Sequence, residues 1–349
     1  MGRNLHGRKT LMNSCFIKSR FSLRFNFFSI IIASIAVFLC SFKTFANSSA
    51  QTIEQTSKGV QTLQKNEKPA YKSIGFPGTQ KKQVEALRKK YLTTHKKWLY
   101  NILEEGEQYR IFVRNELKKR NMPAILEYLP LVESNFNPNA RSRSGATGLW
   151  QFMLNSVAGY LEYDEYVDQR LDPWISTEAA LSKLQDNYKV FGDWLLAITA
   201  YNCGAGAMKK AIKSAGKKDF WYLSENGFLS QQASGYVPKL IALADVAENA
   251  SYYGISLPTA RDKNGKTIDS GAGKFDYVTV KESVHIERLA SELRIDKDTL
   301  KELNSALRKN ITPPNKEYAI RLPLGMKESA EYVLNEMGVF TIKSNKTSR

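Results

Sequence analysis

The chain has 349 residues, of which 42% are hydrophobic, and its formal net charge is +17. This length allows one sizeable domain with a packed core and a small second domain. His95 and His285 are the only histidines after residue 6, which excludes the usual His-rich zinc sites and argues against a Ser-His-Asp or Cys-His system. We expect no metal and no other cofactor.

The first 46 residues are predicted to be a targeting segment. Seven Lys and Arg residues and no acidic residue lie there, and an apolar run from Phe25 to Phe42 precedes Thr44-Phe45-Ala46, a small-x-small cleavage site. The run is long for a signal core and short for a membrane span, so a cleaved export signal is favoured over an uncleaved anchor. Leu39 before Cys40 disfavours lipidation. We expect an exported monomer in the periplasm or cell envelope, and association with the membrane through the N-terminus stays open.

Removing the seven basic charges of this segment from +17 leaves +10 for the rest of the chain. A basic body can bind nucleic acid or an anionic envelope surface. Its Lys and Arg residues are scattered and accompany no nucleic-acid motif, so we predict a solvated basic surface and no nucleic-acid partner. Cleavage would also leave Cys203 as the one cysteine, so the fold must rest on its core and not on internal disulfides.

The body of the chain is predicted to be mainly α. Residues 47–85 are rich in Ser, Gln, Thr and Lys and predict a disordered spacer. Apolar residues then recur at three- and four-residue steps from Trp98 to Leu117, which predicts a helix that ends at Asn121-Met122-Pro123. Further helices are predicted after a cap at Ser176-Thr177, around Trp194, and from Pro238 onward. Strand alternation is absent from residues 86–252, so residues 86–257 are predicted to form one helical domain.

The pattern changes after a turn-rich linker at residues 258–274. Phe275–Val280 and Tyr318–Leu322 are predicted strands, and two short helices with leucine faces lie between them. Residues 275–325 therefore predict a small α+β (βααβ) module, followed by a C-terminal tail at 326–349.

Glu133 is the candidate catalytic residue. It ends the apolar helical run Ile125–Val132, where apolar neighbours and the carbonyl end of a helix should both raise the pKa of a carboxyl group. A carboxylic acid that stays neutral near working pH can protonate the oxygen of a glycosidic bond. On its own, a helix-end Glu in water is the simpler interpretation.

The residues after Glu133 favour a binding cleft. Pro138 turns the chain, and Gly145 and Gly148 allow the backbone to pass close to a ligand. Gln151 can hydrogen-bond acetamido and hydroxyl groups. Trp150 is predicted to pack beneath a sugar ring, with a core position as the alternative, and Phe152 is expected to be partly core.

These motifs resemble the signature of the lytic transglycosylases that share the lysozyme-like fold. The resemblance spans roughly residues 95–257, and Leu154 departs from it, because many relatives have Pro there. The matching residues are Glu133-Ser134, Phe136, Pro138, Ala140, Ser142, Gly145-Ala146, Gly148-Leu149, Gln151, Met153, Asp168, Arg170, Asp172, Pro173, Ser176, Ala200-Tyr201-Asn202 and Gly204, with Tyr236-Val237-Pro238-Lys239 typical of the membrane-bound D-type branch.

The resemblance implies a mechanism with one carboxylate and peptidoglycan strands as the partner. Glu133 would protonate the bond between N-acetylmuramic acid (MurNAc) and N-acetylglucosamine (GlcNAc), then act as base for attack by the C6 hydroxyl, giving a 1,6-anhydro sugar. Tyr201 and Asn202 would hold the sugar or orient Glu133. Ser142, Gln151 and Tyr236 would contact substrate.

Two alternatives stay open at this point. A hydrolytic muramidase on the same fold would need a second carboxylate, for which Asp164, Glu165 and Asp168 are available. A non-catalytic wall-binding protein would use both domains for adhesion.

Residues 275–325 resemble a LysM domain, which implies binding of GlcNAc-containing glycans. The matching residues are Tyr277-Val278, Leu289-Ala290, Leu300, Leu303-Asn304, Ile320 and Leu322-Pro323. Lys281-Glu282 stands where the family usually has Gly-Asp, so glycan binding by this module is left open.

Overall fold

The computed structural model describes residues 69–262, 265–267 and 271–339. The predicted targeting segment and residues 47–68 of the predicted spacer lie outside the described residues. No helix within the described part combines the length and apolar character needed to cross a membrane. The first part of the fold contains α1 (Lys82–Leu92), α2 (Lys96–Glu105), α3 (Glu107–Lys119), α4 (Leu129–Ser134), α5 (Pro173–Phe191), α6 (Trp194–Cys203), α7 (Ala205–Ala215), α8 (Phe220–Glu225) and α9 (Gln231–Glu248), with 3-10 helices at Ala124–Tyr128, Leu154–Ser156 and Gln169–Leu171.

Helix α9 lies at the centre of this helical domain. Its residues Val237, Leu240, Ile241 and Leu243 are fully buried, and it contacts α1, α4, α6 and α8. The mainly α domain predicted from the sequence is therefore confirmed. Packing against these helices supplies stability that offsets the proline inside the helix.

The prediction that Pro238 opens a helix is wrong. The helix begins at Ser230, whose hydroxyl accepts the backbone N–H of Ala233, and Pro238 lies inside α9. A proline removes one helical hydrogen bond but does not prevent a helix when packing supplies the stability.

Two other predicted helix boundaries are corrected. The single helix predicted to end at residue 121 is divided into α2 and α3 at Gly106, where a Cβ atom would lie 2.6 Å from the ring of Phe136. The cap predicted at Ser176-Thr177 is supplied instead by Asp172, whose carboxylate accepts the N–H groups of Trp174 and Ile175. Asp172 directly precedes Pro173 at the first helical position, an arrangement that suits a helix start.

The ordered domain begins earlier than the predicted spacer boundary at residue 85. Tyr71 donates a hydrogen bond of 2.8 Å to Asp245, and the backbone N–H of Lys72 donates to Asn249 at 2.7 Å. Arg88 pairs with the same buried Asp245 at 2.5 Å. These contacts hold residues 69–76 against the C-terminal half of α9.

The βααβ module is also confirmed. Its strands pair antiparallel, with Val278 opposite Ile320. A further helix packs its buried Ala330 and Leu334 into the module core, so the module extends beyond its predicted end at residue 325. The elements are β1 (Asp276–Val280), α10 (Ile286–Glu292), α11 (Lys297–Leu303), β2 (Tyr318–Leu322) and α12 (Lys327–Glu336).

The module packs directly against the segment that precedes α5. Val167 forms a β-bridge with Leu307 and belongs to the module core. The N–H of Asp168 donates to the carbonyl of Ala306 at 2.8 Å, and Arg321 pairs with Asp172 at 2.6 Å. The described part of the predicted linker also contacts the helical domain, because Arg110 donates a hydrogen bond to the carbonyl of Pro258 at 2.8 Å. The two domains therefore share a hydrogen-bonded interface.

Candidate functional site

Glu133 lies one residue before the end of α4, as predicted. Leu129, Pro130 and Leu131 of that short helix are buried, which anchors it to the core. Asn135 and Phe136 then adopt left-handed backbone angles, with φ of 55° and 57°, and reverse the chain. The hydroxyl of Ser134 donates to the carbonyl of Leu149 at 2.8 Å. This hydrogen bond joins the end of α4 to the loop that follows.

Residues 140–153 form a compact loop beside Glu133. Arg141 and Phe152 both form bridges to Thr147, and the N–H of Gly148 donates to the carbonyl of Ala140 at 2.8 Å. Gly148 has a φ of 86°, and a Cβ atom there would lie 1.8 Å from the carbonyl oxygen of Arg170. A glycine is required at this position by both the backbone angle and the close approach.

Of the two aromatic residues of this loop, Trp150 occupies the core position that was the alternative prediction, and Phe152 is buried as expected. Trp150 is 0% exposed, and its indole N–H donates to the hydroxyl of Thr177 at 2.8 Å. It is a core residue and does not lie beneath a ligand. Phe152 is also buried, but one face of it borders the cavity described next.

A cavity of about 470 Å³ opens above Glu133. The structure brings all six sequence-predicted site residues to its wall. They are Glu133, Ser142, Gln151, Tyr201, Asn202 and Tyr236. Their individual roles stay predictions, but their convergence from α4, the loop, α6 and α9 is an observation.

The pKa of Glu133 is raised to about 7, chiefly because burial disfavours the charged form. A hydrogen bond from Tyr236 and the charges of Lys239 and Lys183 act in the opposite direction. The side chain is partly exposed to the cavity. Near neutral pH, Glu133 can therefore both donate and accept a proton.

Two tyrosines flank Glu133 in different ways. The phenol of Tyr236 donates a short hydrogen bond to the Glu133 carboxylate. The phenol of Tyr201 donates instead to the carbonyl of Trp150 at 2.9 Å. Burial raises the pKa of both phenols well above the ordinary value, so both remain protonated donors.

Ser142 and Gln151 make contacts within the loop. The amide nitrogen of Gln151 donates to the carbonyl oxygens of Ala140 at 3.2 Å and Gly148 at 2.9 Å. The Ser142 hydroxyl accepts the N–H of Ala146 at 2.9 Å and bonds to Ser144 at 3.0 Å. Both side chains shape the cavity wall through these bonds.

Asp164, Glu165 and Asp168, considered from the sequence as second carboxylates, lie at or near the module interface. Asp168 is buried and pairs with Arg170 at 2.8 Å. Asp164 pairs with Lys316, and Glu165 pairs with Lys309, both in the module. Among the described residues that line the cavity, Glu133 is the one carboxylate.

Two charged residues of the cavity wall were missed by the sequence reasoning. Lys183 on α5 and Lys239 on α9 both line the wall. Lys239 belongs to the segment that carried the family resemblance, so a signal existed for it. Lys183 lies in an ordinary amphipathic helix, and no local pattern distinguishes it. In the described part of the chain, no group of three or more His, Cys, Asp or Glu residues is arranged to hold a metal ion.

Two family models match separate parts of the chain. Residues 110–224 match the family model "Transglycosylase SLT domain", and residues 274–338 match "Lytic transglycosylase MltD, LysM-like domain". The chain therefore contains a region similar to the SLT transglycosylase domain, followed by a region similar to the LysM-like domain of MltD.

Two curated relatives match part of the chain. The chain is 40% identical to the membrane-bound lytic murein transglycosylase D of Escherichia coli K12 over 192 residues, which is 53% of this chain and 41% of the relative. It is 34% identical over 107 residues to the peptidoglycan transglycosylase gp16 of Escherichia phage T7, covering 30% of this chain and 8% of the relative. The chain thus spans less than half the length of these relatives.

Two solved structures of lytic transglycosylases were also compared. The lytic transglycosylase Slt of Pseudomonas aeruginosa, in an inactive mutant form, has 22% identity and a TM-score of 0.35, covering 46% of this chain and 26% of that one. The 70 kDa soluble lytic transglycosylase SLT70 of Escherichia coli has 18% identity and a TM-score of 0.33, covering 56% of this chain and 40% of that one.

Proposed function

We propose that the chain is a peptidoglycan lytic transglycosylase that cleaves the β-1,4 bond between MurNAc and GlcNAc and leaves a 1,6-anhydro-MurNAc end. The observation that carries this proposal is Glu133, a single carboxyl group with a pKa of about 7 on the wall of a cavity. The name of the relative in Escherichia coli, a lytic murein transglycosylase, supports the substrate class.

The proposed reaction uses Glu133 twice. Its protonated form donates a proton to the glycosidic oxygen, and the C1–O bond breaks as GlcNAc leaves with that proton. The ionised Glu133 then takes the proton of the C6 hydroxyl, whose oxygen bonds to C1 of the same ring. This restores neutral Glu133 and consumes no water. The attacking hydroxyl is already part of the substrate, which favours this closure over attack by solvent.

Other residues of the cavity have proposed supporting roles. Tyr236 would hold the Glu133 carboxylate in place, because its phenol already donates to that group. Tyr201 would hold the loop through Trp150 and border the sugar. Ser142, Gln151 and Asn202 would contact substrate, and the LysM-like module would add glycan contacts. We also propose that the protein works in the cell envelope, as the word membrane-bound in the relative's name suggests.

Product analysis tests the reaction type. Purified full-length chain is incubated with isolated peptidoglycan, and the released fragments are analysed by mass spectrometry. Transglycosylation is expected to yield anhydro ends. Fragments heavier by one water would identify a hydrolytic muramidase instead, and binding without any cleavage would identify a non-catalytic wall-binding protein.

Replacing Tyr236 by Phe is expected to move the pH dependence of cleavage. The lost hydrogen bond stabilises the ionised form of Glu133, so its removal raises the pKa of Glu133 further. A hydrogen bond worth about 0.5–1.5 kcal/mol corresponds to a displacement of up to about one pH unit. The alkaline limb of the kcat/KM profile should therefore move to higher pH.

Tyr201→Phe is the matched control for that experiment. It removes the same atom from a neighbouring tyrosine whose phenol bonds to the Trp150 carbonyl and not to Glu133. Its alkaline limb should stay where the wild-type limb lies. Equal displacement in both variants would contradict a specific role for Tyr236.

A further inference from the structure

Lys183 and Lys239 give the cavity a positive charge that the proposed reaction does not use. Lys183 lies on α5 and Lys239 on α9, so two different helices bring their ammonium groups to the same cavity. The charged side chains among the described lining residues are these two lysines and Glu133. The net charge of the wall is therefore positive when Glu133 is ionised, and more positive when it is protonated.

Neither ammonium group is neutralised by a nearby ion pair within the described residues. The Lys183 ammonium lies 5.3 Å from the ring centroid of Phe152 and 5.5 Å from that of Tyr201. Lys239 donates to the carbonyl of Val132 at 3.3 Å. The carboxylate whose charge acts on both is Glu133. Lys90 adds further positive charge near Lys239.

This arrangement differs from that of the buried and half-buried arginines of the protein. Each of several such arginines pairs with a carboxylate, as buried charges usually do. The pairs are Arg88 with Asp245, Arg110 and Arg114 with Glu127, Arg170 with Asp168, and Arg321 with Asp172. Burial also lowers the pKa of both cavity lysines, so the charge of Glu133 offsets only part of the cost of burying each ammonium group. An anion that enters the cavity would offset this cost.

We propose that Lys183 and Lys239 form a subsite for a carboxylate of the glycan substrate, next to Glu133. This rests on the proposed function. An ammonium group has three donors and a full charge, so it suits a carboxylate better than a hydroxyl or an amide. A peptidoglycan strand offers that chemistry in two places. One is the lactyl carboxylate of MurNAc in strands without peptide, and the other is a carboxylate of an attached stem peptide.

A carboxylate bound between the lysines would also offset their charge, which otherwise favours the ionised form of Glu133. As a neutral acid, Glu133 does not repel the substrate carboxylate. The two lysines attract the substrate carboxylate and reduce repulsion when Glu133 becomes ionised after proton donation. Binding and catalysis would then use the same pair of charges.

The test compares Lys183→Met and Lys239→Met with wild type on three glycan substrates. These are strands without peptide that carry free lactyl carboxylates, the same strands with those groups converted to methylamides, and strands with intact stem peptides. Methionine keeps the length of the aliphatic stem and removes the charge. Lys189→Met is the matched control, because Lys189 lies on the same helix but is exposed and pairs with Asp186 outside the cavity.

We expect wild type to have about 10-fold higher kcat/KM on a carboxylate-bearing strand than on its methylamide, mainly through KM, as for a hydrogen bond to a charged group. Each cavity variant should lose most of that preference, and Lys189→Met should keep it. A loss of kcat/KM confined to strands without peptide identifies the lactyl carboxylate as the ligand. A loss of kcat/KM confined to peptide-bearing strands identifies a carboxylate of the peptide. A preference for the carboxylate strand that survives in both cavity variants, with unchanged kcat/KM on peptide-bearing strands, overturns the subsite.

Binding measured without cleavage separates this proposal from the proposed function. Glu133→Gln is combined with each lysine variant, and affinities for the carboxylate and methylamide strands are compared. A carboxylate preference that depends on the lysines supports the subsite even if the wild-type products turn out to contain added water. The same comparison is made with peptide-bearing strands. Affinities for all three substrates that neither lysine variant changes overturn the subsite even if the anhydro product is found.

Discussion

Replacing Glu133 by Gln is expected to lower kcat for glycan cleavage by about 10³-fold. Gln keeps the shape of the side chain and can still accept the hydrogen bond from Tyr236, but it has no proton to give to a leaving oxygen. The measurement is the initial rate of fragment release from isolated peptidoglycan, with wild type assayed in parallel. Unchanged cleavage by the variant would contradict the role of Glu133.

The same substitution is expected to stabilise the protein at alkaline pH. The pKa of Glu133 is raised from 4.5 to about 7 in the folded chain, so folding favours the neutral form. The stability that this neutral form contributes is complete below pH 4.5 and is lost as the pH rises through 7. The free energy of unfolding that is lost in this way amounts to up to about 3 kcal/mol.

Denaturant unfolding at two pH values checks this expectation. Glu133→Gln should exceed wild type in free energy of unfolding at about pH 8, because ionisation of the buried carboxyl group destabilises only the wild type. The two proteins should have similar stability near pH 4. A variant that is less stable than wild type at pH 8 would show that the charge of Glu133 is well accommodated, contrary to its raised pKa.

Replacing Arg321 by Met is expected to lower the free energy of unfolding by about 3–5 kcal/mol. Arg321 pairs at 2.6 Å with Asp172, and both side chains are almost completely buried at the interface between the two domains. Loss of the guanidinium leaves the Asp172 charge buried with only its capping bonds to Trp174 and Ile175. The measurement is thermal unfolding of the full-length chain, where a lower melting temperature by roughly 6–20 °C is expected.

Lys316→Met provides the comparison for this effect. Lys316 also bridges the two domains, through Glu162 and Asp164, but all three side chains are substantially exposed. Solvent screens such pairs, and the expected cost is at most about 1 kcal/mol. The double variant Asp172→Asn with Arg321→Met should recover part of the lost stability, because it leaves no buried charge. An Arg321→Met variant as stable as Lys316→Met would contradict a structural role for the buried pair.

Local sequence patterns predicted most of the helices but misplaced several of their ends. The apolar steps from Trp98 to Leu117 indicated helix correctly, yet Gly106 divides that segment, and the ring of Phe136 packs where a side chain at this position would lie. Pro238 was expected at a helix start and lies inside α9. In both cases a contact distant in sequence outweighed the local signal.

The docking of the module onto the helical domain had no signal in the sequence. Val167 is an apolar residue in a loop of the helical domain, and its sequence does not indicate which core it joins. Its bridge to Leu307 shows that it packs into the module core. Trp150 was equally ambiguous, since an aromatic residue in a glycine-rich loop suits a sugar platform or a core. The hydroxyl of Thr177, which accepts its N–H, resolved the question.

The sequence by itself determined that one carboxyl group ends an apolar helix before a glycine-rich turn, because periodicity and turn chemistry are local properties of the chain. Only the tertiary structure decided what surrounds that carboxyl group. Tyr236, Lys183 and Lys239 come from helices far along the chain, and packing of α5 and α9 brings them to one cavity. The pKa of Glu133 depends on that burial and on those neighbours, so its chemistry is a property of the folded protein.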